Sequence, residues 1–332
     1  MLAHDRYWLV FWTFNDNSLA TPLYIMQTAY ITHPLCQKHE MGSHHPESPA
    51  RLHAVEDMLI ASGLLSYLLH RDAPAATREQ LSRVHDPRYI DSIESSVPTQ
   101  GLVYLDADTA MNPFSYQAAL RAAGAVVLGV DLVMGNKAEN AFCNIRPPGH
   151  HAERARAMGF CIFNNVAVGA AHAMAKHGLQ RVAIADFDVH HGNGTEEIFH
   201  DDPRVMLCST FQYPFYPYAG ANTGNEHIIN VPLSAGTGGE EFRAAVTQHW
   251  LPALERFKPE LLLISAGFDA HRDDDLAMLN LAEPDYAWVT GKLKDIAEKY
   301  AHGRIVSALE GGYELHALGR SALAHIKVLS GL

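Results

Sequence analysis

Asp188-Val189-His190 sets a carboxylate and an imidazole two residues apart, directly after an apolar run over 182–187. Alternate residues of an extended chain leave on the same side, so this pair suits two ligands of one metal ion. Asp269 closes Ser265-Ala266-Gly267-Phe268-Asp269 after another apolar run and would complete an Asp2His set. Such a set leaves a fourth position open for water, as catalytic zinc sites require; a structural zinc would be closed and richer in Cys. A third run leads into Arg146-Pro147-Pro148-Gly149-His150-His151. The rigid Pro-Pro and the permissive Gly would hold two imidazoles in a fixed direction, and His is the usual general base near neutral pH. Asp186 and Asn193 are candidate acceptors from the far ring nitrogens of that pair. A fourth run ends in Glu310-Gly311-Gly312-Tyr313, where a sharp turn would bring a phenol close enough to donate to a polarised carbonyl. Taken singly, each cluster has a plainer reading: Asp188 and Asp269 as helix caps, His190 as a loop histidine, Tyr313 as a core residue in a glycine turn. Four such clusters, each at the end of a strand-length apolar run, are poorly explained by capping and packing alone.

For these clusters to meet, the runs must be neighbouring strands. Residues 141–145, 182–187, 205–209, 261–266 and 305–309 are short and apolar throughout, the pattern of parallel strands covered by helices on both faces. Helices are expected over 49–62, 115–134, 165–177, 240–257, 285–300 and 317–329, with Ser48 as an N-cap before Pro49, and Gly63 and Gly178 where helices stop. The fold class is α/β: a three-layer sandwich around a central, mainly parallel sheet, whose strand ends share one ligand-binding edge. No repeat, low-complexity tract or linker marks a boundary, so residues 29–332 are expected to form a single catalytic domain after an amino-terminal extension, 1–28. The aromatic stretch 7–14 (YWLVFWTF) lacks the flanks of a signal peptide and reads as part of that extension, an edge strand or a translated leader.

Composition narrows the function classes. With 37 Asp and Glu against 25 Lys and Arg, the 332-residue chain carries a net charge of −12, which argues against a grip on phosphate backbones and favours cationic substrates. An apolar share of 48% and a charged share of 19% exclude disorder as a whole-chain description. Cys36, Cys143, Cys161 and Cys208 form no CxxC pair, so a reducing cytoplasm fits better than a disulfide framework. No run reaches roughly 18 consecutive apolar residues, so no membrane span is expected.

The motifs RPPGHH, GFCIFNN, DFDVHHGNG, SAGFD and EGGY, in this order, resemble the zinc-dependent deacetylases of the histone deacetylase and acetylpolyamine amidohydrolase superfamily. The resemblance runs from Tyr30 to Leu329; HPESPARL (45–52), GNGT and EGGY are similar to the class II branch and its bacterial relatives. It implies an arginase-like fold and hydrolysis of N-acetyl amides, with one Zn2+ per chain held by Asp188, His190 and Asp269. It makes His151 the general base and acid, His150 its electrostatic neighbour held by Asp186, Asn193 the partner of His151, and Tyr313 the stabiliser of the oxyanion. It also implies a structural K+ at Asp186, at the backbone oxygens of Asp188 and His190 and at the Ser209 hydroxyl. Phe160 and Tyr216 would wall the substrate tunnel, Leu276 would lie at its rim, Arg51 would line the cavity behind the metal, and Gly149 and Gly312 would form the floor. Three departures stand out. Tyr216 occupies a wall position that is commonly Phe, Leu276 stands where a polyamine-selective relative carries an acidic gatekeeper, and the acid that grips the substrate backbone is represented only by the nearby candidates Asp106 and Asp108. The implied partners are acetylated cationic small molecules or acetyl-lysine proteins, with no direct nucleic-acid or membrane binding and with homo-oligomerisation open. An acetylpolyamine amidohydrolase or esterase on the same site is the alternative; a binuclear ureohydrolase or a non-catalytic acetyl-ligand binder are the readings from other classes.

Overall fold

The apolar runs lie side by side in one sheet because each needs cover on two faces. The computed structural model describes residues 27–332 and a short antiparallel pairing of Val10–Phe11 with Leu23–Tyr24; the rest of the expected amino-terminal extension lies outside the described residues. In chain order the strands of the main sheet are β1 (Ala29–Thr32), β2 (Leu69–Asp72), β3 (Ala141–Cys143), β4 (Val182–Asp186), β5 (Val205–Gln212), β6 (Ile228–Leu233), β7 (Leu261–Ala266) and β8 (Ile305–Leu309). They are arranged β6-β5-β4-β7-β8-β3-β1-β2, and every pairing is parallel. The register places Asp186 opposite Ser209 on one side and Ser265 on the other, so the polar ends of β4, β5 and β7 emerge together.

The α-helices of seven or more residues are α1 (Ala50–Ala61), α2 (Pro87–Ser95), α3 (Ser115–Met134), α4 (Asn165–His177), α5 (Asn193–Phe199), α6 (Gly239–Ala245), α7 (Leu251–Phe257), α8 (Glu283–Tyr300) and α9 (Leu315–Ser330). Consecutive residues of β8 show how they divide between the faces. Val306 abuts Gly129 of α3, whereas the Ser307 hydroxyl bonds Nε2 of His325 in α9 at 2.8 Å. Neighbouring strand residues point to opposite faces, so α3, with α4 beside it, covers one face and α9, with α1 and α8 beside it, covers the other.

Two expected strands (261–266 and 305–309) and two expected helices (115–134 and 165–177) match the structure end to end. Other boundaries differ for identifiable reasons. The helix expected over 240–257 is interrupted by a π turn, Val246–Trp250, ahead of Pro252, whose ring and missing N–H do not fit a regular preceding turn. Helix α1 takes Pro49 as its N-cap, and it is the carbonyl of Ser48 that accepts, from the Arg51 amide at 3.1 Å. Gly63 and Gly178 do end helices, at φ values of 75° and 71°. Helix α3 holds no run of 18 consecutive apolar residues, since Arg121 and Asp131 interrupt it, yet by length and overall composition it could cross a membrane; 67% of that window is buried inside the fold, as in a core helix.

Candidate active site

The carboxyl ends of β4 and β7 bring Asp188, His190 and Asp269 together, with one ligand atom from each within 4.8 Å of the others. His190 Nδ1 lies 3.0 Å from Asp188 Oδ1 and 3.3 Å from Asp269 Oδ2. The second oxygen of each carboxylate is anchored to the backbone: the Gly311 amide donates to Asp188 Oδ2 at 2.8 Å, and the Val189 amide to Asp269 Oδ1 at 2.9 Å. Asp269 Oδ2 is buried without a hydrogen-bond partner. Burial, and then the facing Asp188 carboxylate, lift the Asp269 carboxyl to about 6. Two buried carboxylates, one with an orphaned oxygen, fit a divalent cation. The approach is so close that a Cβ on Gly311 would stand 1.9 Å from Asp269 Oδ2, which explains a glycine there.

His150 and His151 lie side by side, with ring centroids 4.1 Å apart and planes tilted by 47°. Each has its own partner: Asp186 Oδ2 lies 2.9 Å from His150 Nδ1, and Asn193 Oδ1 lies 2.8 Å from His151 Nδ1. Burial pushes both imidazoles down, but at His150 the Asp186 and Asp188 charges outweigh burial and hold it well above its ordinary value. At His151 burial is reinforced by His150 and His190, so that ring stays neutral. Gly149 is required by packing and not by a left-handed backbone, because a Cβ there would fall 2.5 Å from the Asn165 amide. Its own N–H donates to Glu310 Oε2 at 2.6 Å, as does that of His150 at 3.2 Å.

Tyr313 lies across the centre, edge-on to Phe160 at 5.9 Å and under the Arg51 guanidinium at 5.0 Å. Burial, and then the Asp269 charge, keep its phenol protonated and therefore a donor. Arg51 is fully buried; its Nε donates to the carbonyl of Gly312 at 2.6 Å, and its Nη1 meets Glu47 at 3.1 Å. Tyr216 flanks the opposite side, edge-on to His151 at 5.3 Å and to His190 at 6.0 Å. Leu276 is 40% exposed, on the loop beyond Asp269. The Ser209 hydroxyl is buried with no partner, beside Asp186 in register. Asp106 and Asp108 differ: Asp106 is engaged by Arg156 at 2.8 Å, while Asp108 Oδ1 accepts from the Gly159 amide at 3.1 Å, next to Phe160.

Three supporting groups carry no separate role in the sequence reading. Glu310 holds the His-pair backbone, and burial pushes its carboxyl up to about 7. Asp274 Oδ2 accepts from the Tyr313 and Glu314 amides at 2.6 and 3.1 Å. Glu153 Oε1 accepts from Asn193 Nδ2 at 2.8 Å. Glu310 belongs to a quoted motif, but Asp274 sits within a run of three acids and Glu153 on a charged turn, where nothing local singles them out.

A second group, Asp131, His172 and His177, also converges. There Arg83 meets His172 Nδ1 at 3.1 Å, which leaves the ring proton on Nε2, facing Asp131 at 2.9 Å, and Lys176 supplies the carboxylate with a cation at 2.9 Å. This is a staple between α3 and α4, not a ligand set.

Comparison with known proteins agrees with this architecture. Residues 45–329 match the family model described as the histone deacetylase domain. A histone deacetylase-like amidohydrolase of Pseudomonas aeruginosa is 37% identical over 92% of this chain and 87% of its own. The human polyamine deacetylase HDAC10 is 37% identical over 86% of this chain and 44% of its own. The crystal structure of the HDA15 HD domain superposes with a TM-score of 0.87 at 36% identity, covering 92% of this chain and 90% of that one. The parallel sheet, the clustered strand ends and these matches lead to one conclusion: the chain belongs to the histone deacetylase family.

Proposed function

We propose that the protein is a zinc-dependent amidohydrolase that removes acetyl groups from acetylated amines, releasing acetate and the free amine. The observation that carries this reading is the convergence of Asp188, His190 and Asp269 beside an imidazole, His151, that burial keeps neutral. Held by these three side chains, zinc supplies Lewis-acid polarisation of the amide carbonyl and acidifies water. The remaining chemistry falls to the protein. His151, with its Nδ1 turned to Asn193, presents Nε2 to take the water proton and later to pass a proton to the leaving nitrogen. His150, charged against Asp186, keeps positive potential beside the developing oxyanion. Tyr313 donates its hydroxyl to that oxyanion. Phe160 and Tyr216 enclose the acylated side-chain stem, and the orphaned Ser209 hydroxyl next to Asp186 supports the reading of a structural potassium site.

Acetyl-lysine peptides and acetylated polyamines are the two substrate classes to compare. The test is hydrolysis of acetyl-lysine peptides, acetylputrescine and acetylspermidine, each with and without a hydroxamate chelator, alongside metal analysis of the active protein. Chelator-sensitive release of acetate with one zinc per chain is expected. Two metals per active chain would point to a binuclear hydrolase, and chelator-insensitive silence towards every amide and ester would point to a binder.

A further inference from the structure

An asparagine side chain has a donor end and an acceptor end, and which end faces His151 decides where that ring carries its proton. At the nitrogen end of Asn193, Nδ2 donates to Glu153 Oε1 at 2.8 Å and to Met158 Sδ at 3.3 Å. A carboxylate and a thioether both only accept, so a flipped amide would set its carbonyl oxygen against two acceptors. The carbonyl is therefore turned to His151, 2.8 Å from Nδ1. Since a carbonyl cannot donate, Nδ1 must carry the proton, and the neutral ring is left with a bare Nε2. Glu153 is itself well anchored: its amide donates to the Arg156 carbonyl at 2.9 Å and its carbonyl faces His85 Nδ1 at 3.0 Å.

We propose that Glu153 is a positioning residue that sets the tautomer of His151 by fixing the orientation of the Asn193 amide. For its catalytic consequence the proposal rests on the deacetylase reading above. It explains how a neutral amide can serve where orientation is otherwise ambiguous: the asymmetry of Asn is resolved one step further out, by a group that does not touch the substrate. It also predicts that the requirement for Glu153 disappears if residue 193 is a carboxylate, because both of its oxygens accept.

The test uses the zinc-loaded full chain and its variants E153A, E153Q, N193D and E153A/N193D. Steady-state hydrolysis of a fluorogenic acetyl-lysine peptide gives kcat and KM separately, and 15N–1H spectra of histidine-labelled protein, assigned against His151→Gln, report which ring nitrogen bears the proton. E153A is expected to lower kcat by about 10- to 100-fold, the usual range for partners that orient a site's primary groups. KM should stay within about twofold, and the His151 proton should move from Nδ1 to Nε2. E153Q, which offers both a donor and an acceptor, should fall between wild type and E153A. N193D should restore kcat in the E153A background to within about threefold of N193D alone. An E153A protein that keeps the Nδ1 proton and its kcat overturns the proposal, as does a loss that N193D fails to relieve, which would mark Glu153 as merely structural. If the wild type hydrolyses no acetyl amide, the deacetylase reading fails, while the spectra still decide the role of Glu153.

Discussion

At the scale of single residues, the site is built from pairs whose members are driven apart by their surroundings. His150 is held charged and His151 neutral although their rings touch, because one meets two carboxylates and the other an amide and two imidazoles. Opposite them stands Tyr313, which the mechanism proposed above makes the hydrogen-bond donor to the oxyanion; on that reading Tyr313→Phe should lower kcat by about 10²- to 10³-fold with zinc content unchanged, measured by metal analysis beside the steady-state rate. Asp269 makes a sharper case. Its carboxyl is raised to about 6 in the folded chain, above the ordinary value near ~3.9. The folded state therefore holds an extra proton between these values, and the metal-free protein should lose stability as pH rises through that window. Asp269→Asn should abolish that dependence in thermal melts of metal-free protein. With the metal held as proposed above, the sign reverses, since a ligating carboxylate must be ionised to bind. The convergence legible in the sequence is that of residues lying in short motifs at strand ends, namely Asp188, His190, Asp269, His150, His151 and Tyr313. Glu153 and Asp274 were not legible, because their importance lies in which backbone or amide they meet across the fold.

At the scale of elements, parallel register does the assembling. Strand ends far apart in sequence are set level by pairings such as Asp186 with Ser209 and Ser265, and glycines at the ends let carboxylates approach. Gly311→Ala should leave the sheet folded, since the nearest atoms to its Cβ belong to the Asp269 and Asp188 carboxylates, but should cost metal occupancy; circular dichroism and metal content together check this. Helix packing offers a separate prediction. Burial pushes the Asp131 carboxyl up, but bonds from His172, Lys176 and His177 outweigh it and bring it to about 2. The folded value lies below the unfolded one, so the staple's contribution is complete above about pH 4 and is lost as pH falls through about 2. As Asp131 is partly exposed, Asp131→Asn should cost about 1 kcal/mol at neutral pH, with the difference from wild type closing on acidification. The buried strands and the long helices α3 and α4 were legible because apolar periodicity dominates them. Strands β2 and β6 were not: Leu69-His70-Arg71-Asp72 is polar, and β6 contains Asn230 and Pro232, so sheet membership there is decided by neighbours and not by local pattern. Helix α2 was signalled by Asp86, whose side chain accepts from the Arg88 amide, and by Pro87 at the first turn, but it is only nine residues long.

At the scale of the whole molecule, the charge of −12 would, on the proposed reading, act through its field on the capture of cationic substrates. For acetyl-lysine peptides with flanking cations, kcat/KM should fall as ionic strength rises from about 0.01 to 0.15 M, where the screening length shrinks from about 30 to 8 Å. An uncharged acetamide should show no such change, and a salt series on both substrates measures the difference. Among the described residues, the same architecture that aligns the site leaves the sheet with outer strands on which another chain could build. Strand β6 is one of them. The Leu233 carbonyl accepts from the Tyr213 amide at 2.8 Å, so Leu233 turns its backbone inward, towards β5. Backbone direction alternates along a strand, and the preceding residue, Pro232, therefore faces outward at a position where it has no N–H to offer. At the far side, β2 presents His70, Arg71 and Asp72, all exposed. A proline and a charged strip thus act as guards against intermolecular strand addition, and Pro232→Val, which restores an outward donor, should raise light scattering on storage while leaving catalysis untouched.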